Sequence, residues 1–458
     1  MLGSAFNGAY VCKWQRKAPV AELLVLLCPP CVFFAVFARL RRRVGDTKVI
    51  DLMAALTHQC RMSERFSGQF TQQEPIPEDA VDAAVAVLRT GRLHRYNVAE
   101  GELGEVALLE QEFAASVGAR YCLAVASGGY ALATALRALQ VGPGDPVLTN
   151  AFTLAPVPGS IAAVGARPVF VGVTEDLVID LADLEAKADQ AKVLMLSHMR
   201  GHICDMQRLM EICDAAGITV IEDCAHTMGA KWDNQWSGRF GRVGCYSTQT
   251  YKHMNSGEGG FLITDDAQVM ARAVMLSGSY MLYEKHLAAP PPEAFETLRY
   301  ETPNISGRMD HLRAAILRPQ LRRLEAQCEA WNSRYQTVES GLQETPGLSL
   351  VPRPSAEKYV GSSIQFLLLD WPPDAVQDVL GRCASRGVEL KWFGGAEPSG
   401  FTSRYDSWRY AESTPMPKSD RILAGLIDMR IPLTFSLEDC ALIARIIRAE
   451  VSAVYQAA

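Results

Sequence analysis

The stretch "YSTQTYKHMNSGEGG", residues 246–260, decides how the chain reads. An aromatic and β-branched run suited to a buried strand leads to Lys252, and a glycine-rich turn then returns into a second apolar run, "FLIT". A lysine prefers water. At the end of a buried strand it either snorkels its head into solvent or is a desolvated amine whose pKa is lowered. The second kind is a nucleophile toward carbonyl groups. Taken singly, Lys252 fits the snorkelling account, so the decision falls to its surroundings.

Upstream, the short apolar runs "YCLAVAS", "PVLTN", "RPVFVGV", "KVLMLSH", "TVIEDCA" and "VGCYSTQ" precede "GGFLIT". They predict seven strands between residues 121 and 264. Stretches such as "GYALATALRAL" and "DMQRLMEICDAAG" are long enough for crossover helices. Strands apolar throughout and separated by helices imply a mostly parallel sheet covered on both faces. Two helical stretches, "PEDAVDAAVAVLRTG" and "ELGEVALLEQEFAASVG", come before the first strand, each closed by a glycine. After the last strand, residues 280–303 read as a long loop and residues 308–343 as one long helix kinked at Pro319. The remainder alternates strands and helices in a smaller α+β domain. The resulting division is an N-terminal extension over 1–73, a large domain over 74–310 and a small C-terminal domain over 311–458.

The bulk numbers agree with an enzyme of this kind. The chain has 458 residues, 48% hydrophobic and 21% charged, with a formal net charge of -6 that offers nothing to a nucleic acid polymer. Its 12 cysteines are scattered, several inside apolar strands, which predicts buried thiols in the cytosol. Cys28-Pro-Pro-Cys31 lacks the second half of a zinc site. Around it, "LLVLLCPPCVFFAVFARLRRR" falls short of the roughly 20 residues of a spanning helix and carries two adjacent prolines. It reads as an extension outside the fold, with a shallow membrane contact through residues 19–43 as the alternative.

Ligands of open α/β sheets sit beyond the carboxyl ends of strands, so the strand ends carry the chemistry. After "CLAVA", Ser127-Gly128-Gly129 opens a helix and leaves backbone N–H groups for a phosphate. After "VIE", Asp223 puts a carboxylate at the tip of a buried strand, which asks for a cationic or hydrogen-bonding partner, or else caps a helix. With Lys252, these make an anion cradle, a buried acid and a masked amine along one sheet. Those are the parts that hold pyridoxal 5'-phosphate.

From about residue 75 onward the chain resembles the DegT/DnrJ/EryC1/StrS aminotransferases. The resemblance runs through "LEQEFAASVGARYCLAVASGGYALATALRALQVGPGD", "AFTLAPVPGSIAAVGARPVFVGV", "MRGHICDM", "VIEDCAHTMGA", "YSTQTYKHMNSGEGGFLIT" and "GRMDHLRAAILRPQL". It implies an aspartate-aminotransferase-like α/β fold (PLP fold type I): a mostly parallel seven-stranded sheet in a large domain plus a smaller C-terminal α+β domain. It assigns Lys252 as the lysine that takes the cofactor's aldehyde and later moves the substrate proton, and Asp223 as the acid beside the pyridine nitrogen. His226 matches the residue near the ring's phenolic oxygen, Phe152 the aromatic on the ring face, and Ser127, Gly128, Gly129 and Ser247 the phosphate ligands. Asn304 is the counterpart of an asparagine that reaches the neighbouring subunit's phosphate, which implies a homodimer with shared sites. Two departures stand out. The family's Ser-Gly-Thr reads Ser127-Gly128-Gly129, and its Asn-x-Arg reads Asn304-Ile-Ser-Gly-Arg308.

The implied activity is transfer of an amino group from an amino acid, glutamate or glutamine, to a keto sugar or keto cyclitol in polysaccharide or amino-sugar biosynthesis. Two rivals are a deoxysugar dehydratase on the same scaffold, disfavoured by the retained Lys252, and a catalytically idle regulatory relative. The pair His198 and His202 has no acidic third ligand and reads as loop or substrate contacts, with no metal. The segment "LKWFGGAEPSGFTSRYDSWRYAES" reads either as a substrate entrance or as a plain subdomain surface.

Overall fold

A computed structural model describes residues 64–457; the apolar segment, Cys28 and Cys31 lie outside the described residues. Nine strands lie in the first part of the chain: β1 (Tyr121–Val125), β2 (Pro146–Asn150), β3 (Arg167–Val171), β4 (Val193–Ser197), β5 (Thr219–Asp223), β6 (Lys231–Trp232), β7 (Gln235–Trp236), β8 (Val243–Ser247) and β9 (Gly260–Thr264). Seven of them form one sheet in the order β1-β9-β8-β5-β4-β2-β3. Its pairs from β3 across to β8 are parallel, while β9 runs antiparallel to both β8 and β1. The antiparallel strand follows from the short return after β8, which has no crossover helix.

Both faces of this sheet are covered, as its uniformly apolar strands require. In β1, Leu123 and Val125 pack with Ala131 and Leu132 of the helix Gly128–Ala138, whereas Cys122 and Ala124 point to the opposite face, against Phe113. Side chains such as Leu123 and Leu136 are fully buried, each contributing roughly 1.5–3 kcal/mol of apolar burial. The helix Met206–Ala216 begins where Asp205 accepts from the Arg208 N–H and stops at Gly217, whose left-handed backbone closes the last turn.

The register collects the strand ends. Ser197 of β4 lies opposite Asp223 of β5, which lies opposite Cys245 of β8, two residues before Ser247. Ser247 in turn faces Gly260, which also faces Val125, the end of β1. One row of tips therefore runs across the middle of the sheet.

The C-terminal part holds β10 (Ser349–Leu350), β12 (Ser363–Leu367), β13 (Lys391–Trp392) and β14 (Leu426–Arg430) in an antiparallel sheet ordered β10-β12-β14-β13. Strand β11 (Glu357–Lys358) instead joins β6 and β7 in a small ribbon. The core beneath the four-stranded sheet includes Ile364, Phe366, Val379 and Ile447.

Three expectations need correction. Phe66 and Phe70, placed with the N-terminal extension, are buried edge-on against Phe435 in the C-terminal core, at 4.8 and 5.0 Å between ring centres. Two phenylalanines give this segment enough apolar area to dock. Residues 308–343 form two helices, His311–Leu321 and Leu324–Leu342, broken at Arg322–Arg323 and not at Pro319. The first helix packs Ala314 and Leu317 into the core beside the large sheet, so the change of core falls at that break. Finally, the stretch over 280–303, expected as a long loop, carries three short helical segments, Tyr283–Lys285, Pro292–Phe295 and Leu298–Glu301, and is pinned by Phe295, fully buried and stacked on Tyr283 at 4.2 Å.

Candidate active site

Lys252 sits five residues past the end of β8, at the apex of a turn closed by its own backbone. The Thr248 N–H donates to the Gly259 carbonyl (2.9 Å), the Thr250 N–H to the Gly257 carbonyl (3.0 Å) and the Lys252 N–H to the Gln249 carbonyl (2.8 Å). This turn folds the amine back over the row of strand ends. Its Nζ lies 2.7 Å from Nε2 of His226, which sits three residues past Asp223.

Hydrogen bonding fixes the tautomer of that histidine. The Arg200 backbone N–H donates to His226 Nδ1 at 3.3 Å, so the ring's one proton belongs on Nε2. Nε2–H then donates to the lone pair of a neutral Lys252 amine. The electrostatics agree: burial, and after it the Arg200 charge, bring Lys252 down to about 7, while burial and Lys252 hold His226 well below the usual histidine range. Asp223 acts on Lys252 in the opposite sense, and Lys252 on Asp223, so amine and acid share one electrostatic site. Burial pushes the Asp223 carboxyl up; against it stand the Ala225 N–H at Oδ1 (3.1 Å) and the Ser197 hydroxyl at Oδ2 (3.1 Å).

Next to this pair lies the glycine turn. Ser127 caps the helix Gly128–Ala138 by accepting from the Tyr130 N–H at 3.1 Å, and the Gly128 and Gly129 N–H groups open the helix. A Cβ on Gly128 would come 2.8 Å from the Ser247 Cβ, so only glycine lets the helix end reach β8 this closely. The helix terminus and the Ser247 hydroxyl, which accepts from the Gln249 N–H at 3.3 Å, make a cradle suited to a phosphate. Beside it, the Tyr130 hydroxyl reaches the carbonyls of Leu276 (3.1 Å) and Ile305 (2.9 Å), and its ring fills the space a Cβ on Gly307 would need.

An amine, an acid facing it and a phosphate cradle on neighbouring strand ends agree with what the sequence comparisons find. Residues 77–448 match the DegT/DnrJ/EryC1/StrS aminotransferase family. The chain belongs to that family. Similar curated proteins include "Putative L-glutamine:3-amino-2,3-dideoxy-scyllo-inosose aminotransferase" of Micromonospora echinospora, 31% identical over 61% of this chain and 66% of that protein. Another is "Spore coat polysaccharide biosynthesis protein SpsC" of Bacillus subtilis (strain 168), 34% identical over 53% of this chain and 63% of that protein. These matches span somewhat less than two thirds of the relatives' length. Among solved structures, the aminotransferase TlmJ from Streptoalloteichus hindustanus superposes with a TM-score of 0.70, at 22% identity, over 83% of this chain and 98% of that one. The fold is thus PLP fold type I, and the cofactor of this DegT-family chain is pyridoxal 5'-phosphate. The cradle, Asp223 and Lys252 fit it.

The sequence assignments fare unevenly. Lys252, Asp223 and His226 come together, as do Ser127, Gly128 and Ser247. Phe152 does not join them: it is 1% exposed, its ring edge-on to Phe393 at 5.3 Å, and the side chain this loop lends to the pocket is Leu154. The resemblance points to Phe152 as the stacking group, but the hydrophobic cluster with Phe393 and Tyr405 holds its ring. Asn304 is exposed, on a segment held beside the glycine turn by the Ala126 N–H to Gly307 carbonyl bond of 2.8 Å; it does not line the pocket of its own chain.

The histidines serve the frame. His198 Nε2 meets Glu222 at 3.0 Å, and Glu222 also accepts from the N–H groups of Gly238, Phe240 and Gly241. Among the described residues, His198, Glu222 and Cys224 are the one group with metal-type donors in reach, and backbone donors already saturate that carboxylate. His202 contacts Gln365 (2.8 Å) and His253 contacts Ser362 (3.0 Å), which ties the large sheet to the smaller one.

Sequence reading missed the pocket's remaining wall. A cavity of about 450 Å³ in front of Lys252 and His226 is lined by Leu154 and Arg200 and, from the C-terminal sheet, by Lys391, Asp428 and Arg430. Phe401 of the aromatic segment also faces it, while Tyr405 and Trp408 pack with Phe170, so that segment is partly entrance and partly core. Only Arg200, between the two histidines of "SHMRGH" at the end of β4, carries a local hint in the sequence.

Proposed function

We propose that the protein is an aminotransferase carrying an amino group from an amino acid, glutamate or glutamine, to a keto sugar or keto cyclitol. The observation that carries this reading is the neutral-leaning amine of Lys252, held 2.7 Å from His226 and electrostatically coupled to Asp223 at the mouth of a sugar-sized cavity. Bound pyridoxal 5'-phosphate supplies the electron sink for such chemistry. The protein supplies the rest. Ser127, Gly128, Gly129 and Ser247 hold the phosphate, and Asp223 keeps the ring nitrogen protonated. His226 Nε2–H is placed to hold the ring oxygen, and Lys252 Nζ accepts and returns the substrate proton. The relatives named for inosose substrates and for spore-coat polysaccharide synthesis support the substrate class.

A second copy of the chain belongs in this reading. Tyr280, Met281, Tyr300 and Ile305 expose apolar surface on the segment that carries Asn304 and runs beside the phosphate turn. We place a homodimer contact there, with Asn304 serving the partner's site. The eight described cysteines are all buried and unpaired, which supports a reducing, cytosolic setting. No helix among the described residues is long and apolar enough to cross a membrane.

Incubating the loaded protein with glutamate or glutamine tests the activity. The cofactor's visible band is expected to give way to that of its amine form, and Lys252→Ala to abolish the change. A wild-type protein that binds cofactor yet leaves the band unaltered with every amino donor would falsify the reading. Elution as a monomer at micromolar concentration would remove the shared-site proposal alone.

A further inference from the structure

The cavity in front of Lys252 is more cationic than a neutral sugar needs. Arg200 follows β4 in a left-handed backbone conformation (φ 56°, ψ 21°), which an arginine adopts only at a cost. Its side chain is 10% exposed, with Nη2 in an ion pair with Asp428 Oδ2 at 2.8 Å, the guanidinium 4.9 Å above the Phe401 ring, and the buried Nε and Nη2 both without a hydrogen-bond partner. Arg430 ends β14 on the same strand face as Asp428, two residues earlier. Its guanidinium lies 3.7 Å from the centre of the Tyr251 ring and donates to the Tyr251 carbonyl at 3.1 Å. Asp428 is already shared, since its Oδ1 accepts from Gln365 at 2.7 Å. At the pocket floor two guanidinium groups thus face one carboxylate. Lys391 and Glu389, one charge of each sign, also line the cavity. Burial, reinforced by Arg200, lowers Arg430 to about 10, so the two cations act on each other and on Lys252.

An uncompensated buried charge is costly, and guanidinium forks are matched to carboxylates. In a two-step transfer the same pocket receives both donor and acceptor. A neutral acceptor would leave the arginine pair unanswered during half of the cycle. We propose that Arg200 and Arg430 form a carboxylate subsite beside Lys252 that selects an acceptor carrying its own acid group, such as a keto sugar acid, as well as receiving the donor's carboxylate. This rests on the aminotransferase reading and deepens it.

Titration calorimetry on the cofactor-loaded protein tests it with unreactive probes: glutarate for the donor shape, and glucuronate against glucose for the acceptor shape. Glucuronate is expected to bind at least about tenfold more tightly than glucose, and Arg430→Gln and Arg200→Gln are each expected to erase about tenfold to hundredfold of that affinity with cofactor content unchanged. Should Arg200→Gln fail to fold because Asp428 loses its partner, Arg430→Gln carries the test alone. Glucuronate binding no better than glucose overturns the acidic acceptor, even if glutarate binds and responds to the variants. Inorganic pyrophosphate outcompeting both acids overturns the carboxylate assignment. A protein that binds glucuronate through these arginines but transfers no amine would retain the subsite and lose the aminotransferase reading, so the two failures are separable.

Discussion

With its pKa brought down to about 7, Lys252 is about half neutral at pH 7, whereas a lysine at 10.5 has a free amine in roughly one molecule in three thousand. The pocket therefore raises the reactive fraction by about three orders of magnitude before any chemistry begins. Burial is the larger cause and the Arg200 charge the second, so Arg200→Gln is expected to move the midpoint above 7 while leaving it well short of 10.5. The assay is cofactor uptake. Protein stripped of pyridoxal phosphate is remixed with it across about pH 5.5 to 10, a range that spans the lowered midpoint on both sides, and growth of the visible band is followed by stopped flow. The rate should rise with the neutral fraction and level off above about pH 8 in the wild type, one pH unit past the midpoint. A wild-type rate still climbing toward pH 10 would show an ordinary lysine and undo the account of His226 as donor to a neutral amine. An unchanged midpoint in Arg200→Gln would remove the electrostatic link between Arg200 and Lys252 and leave burial and the Arg430 charge as the causes.

Other outcomes follow from the frame. Glu222→Ala strips the acceptor from three backbone N–H groups and His198, and should cost at least about 3 kcal/mol in denaturant unfolding; Glu222→Gln, which keeps one acceptor oxygen, should cost less. Burial pushes Glu110 up, but Arg95 and His286 outweigh it and hold the acid at about 2, against 4.5 unfolded. Its stabilising effect is therefore complete above pH 4.5 and lost as pH falls toward 2. That amounts to about 3 kcal/mol, which Glu110→Gln should remove from the acid limb of the stability profile. Gly128→Ala pushes the helix end away from Ser247 and should weaken cofactor retention by about tenfold or more, read by equilibrium dialysis, with the thermal midpoint little changed.

The parts of this site legible in the sequence were those whose function and strand position coincide. Asp223 and Ser127 end apolar runs, so a pattern of strands already puts them on the ligand side of the sheet. Lys252 is legible for a different reason: the turn that aims it is written locally, between Thr248 and Gly259. Arg200 and Arg430 were not legible as a pair, because they are 230 positions apart, one on the turn after β4 and the other at the end of β14, and meet only in the folded chain. Phe152 went wrong because residue type says nothing about which of two neighbours on a loop, it or Leu154, turns toward the ligand. The helix break at Arg322–Arg323 shows the same limit. Proline is the obvious breaker, yet Pro319 is accommodated inside a helix turn and the chain bends three residues later.

The fit of Tyr130 over Gly307 carries a consequence for how this chain can vary. With the aromatic ring in the volume that any β-carbon at 307 would occupy, the two sites are sterically one locus. A larger residue at 307 becomes acceptable only in a lineage that has first traded the tyrosine for something small, and that trade gives up the hydroxyl anchor to the Leu276 and Ile305 carbonyls. Libraries that randomise either position alone should return almost nothing but the parental residue at 307, whereas paired randomisation should recover compensated combinations.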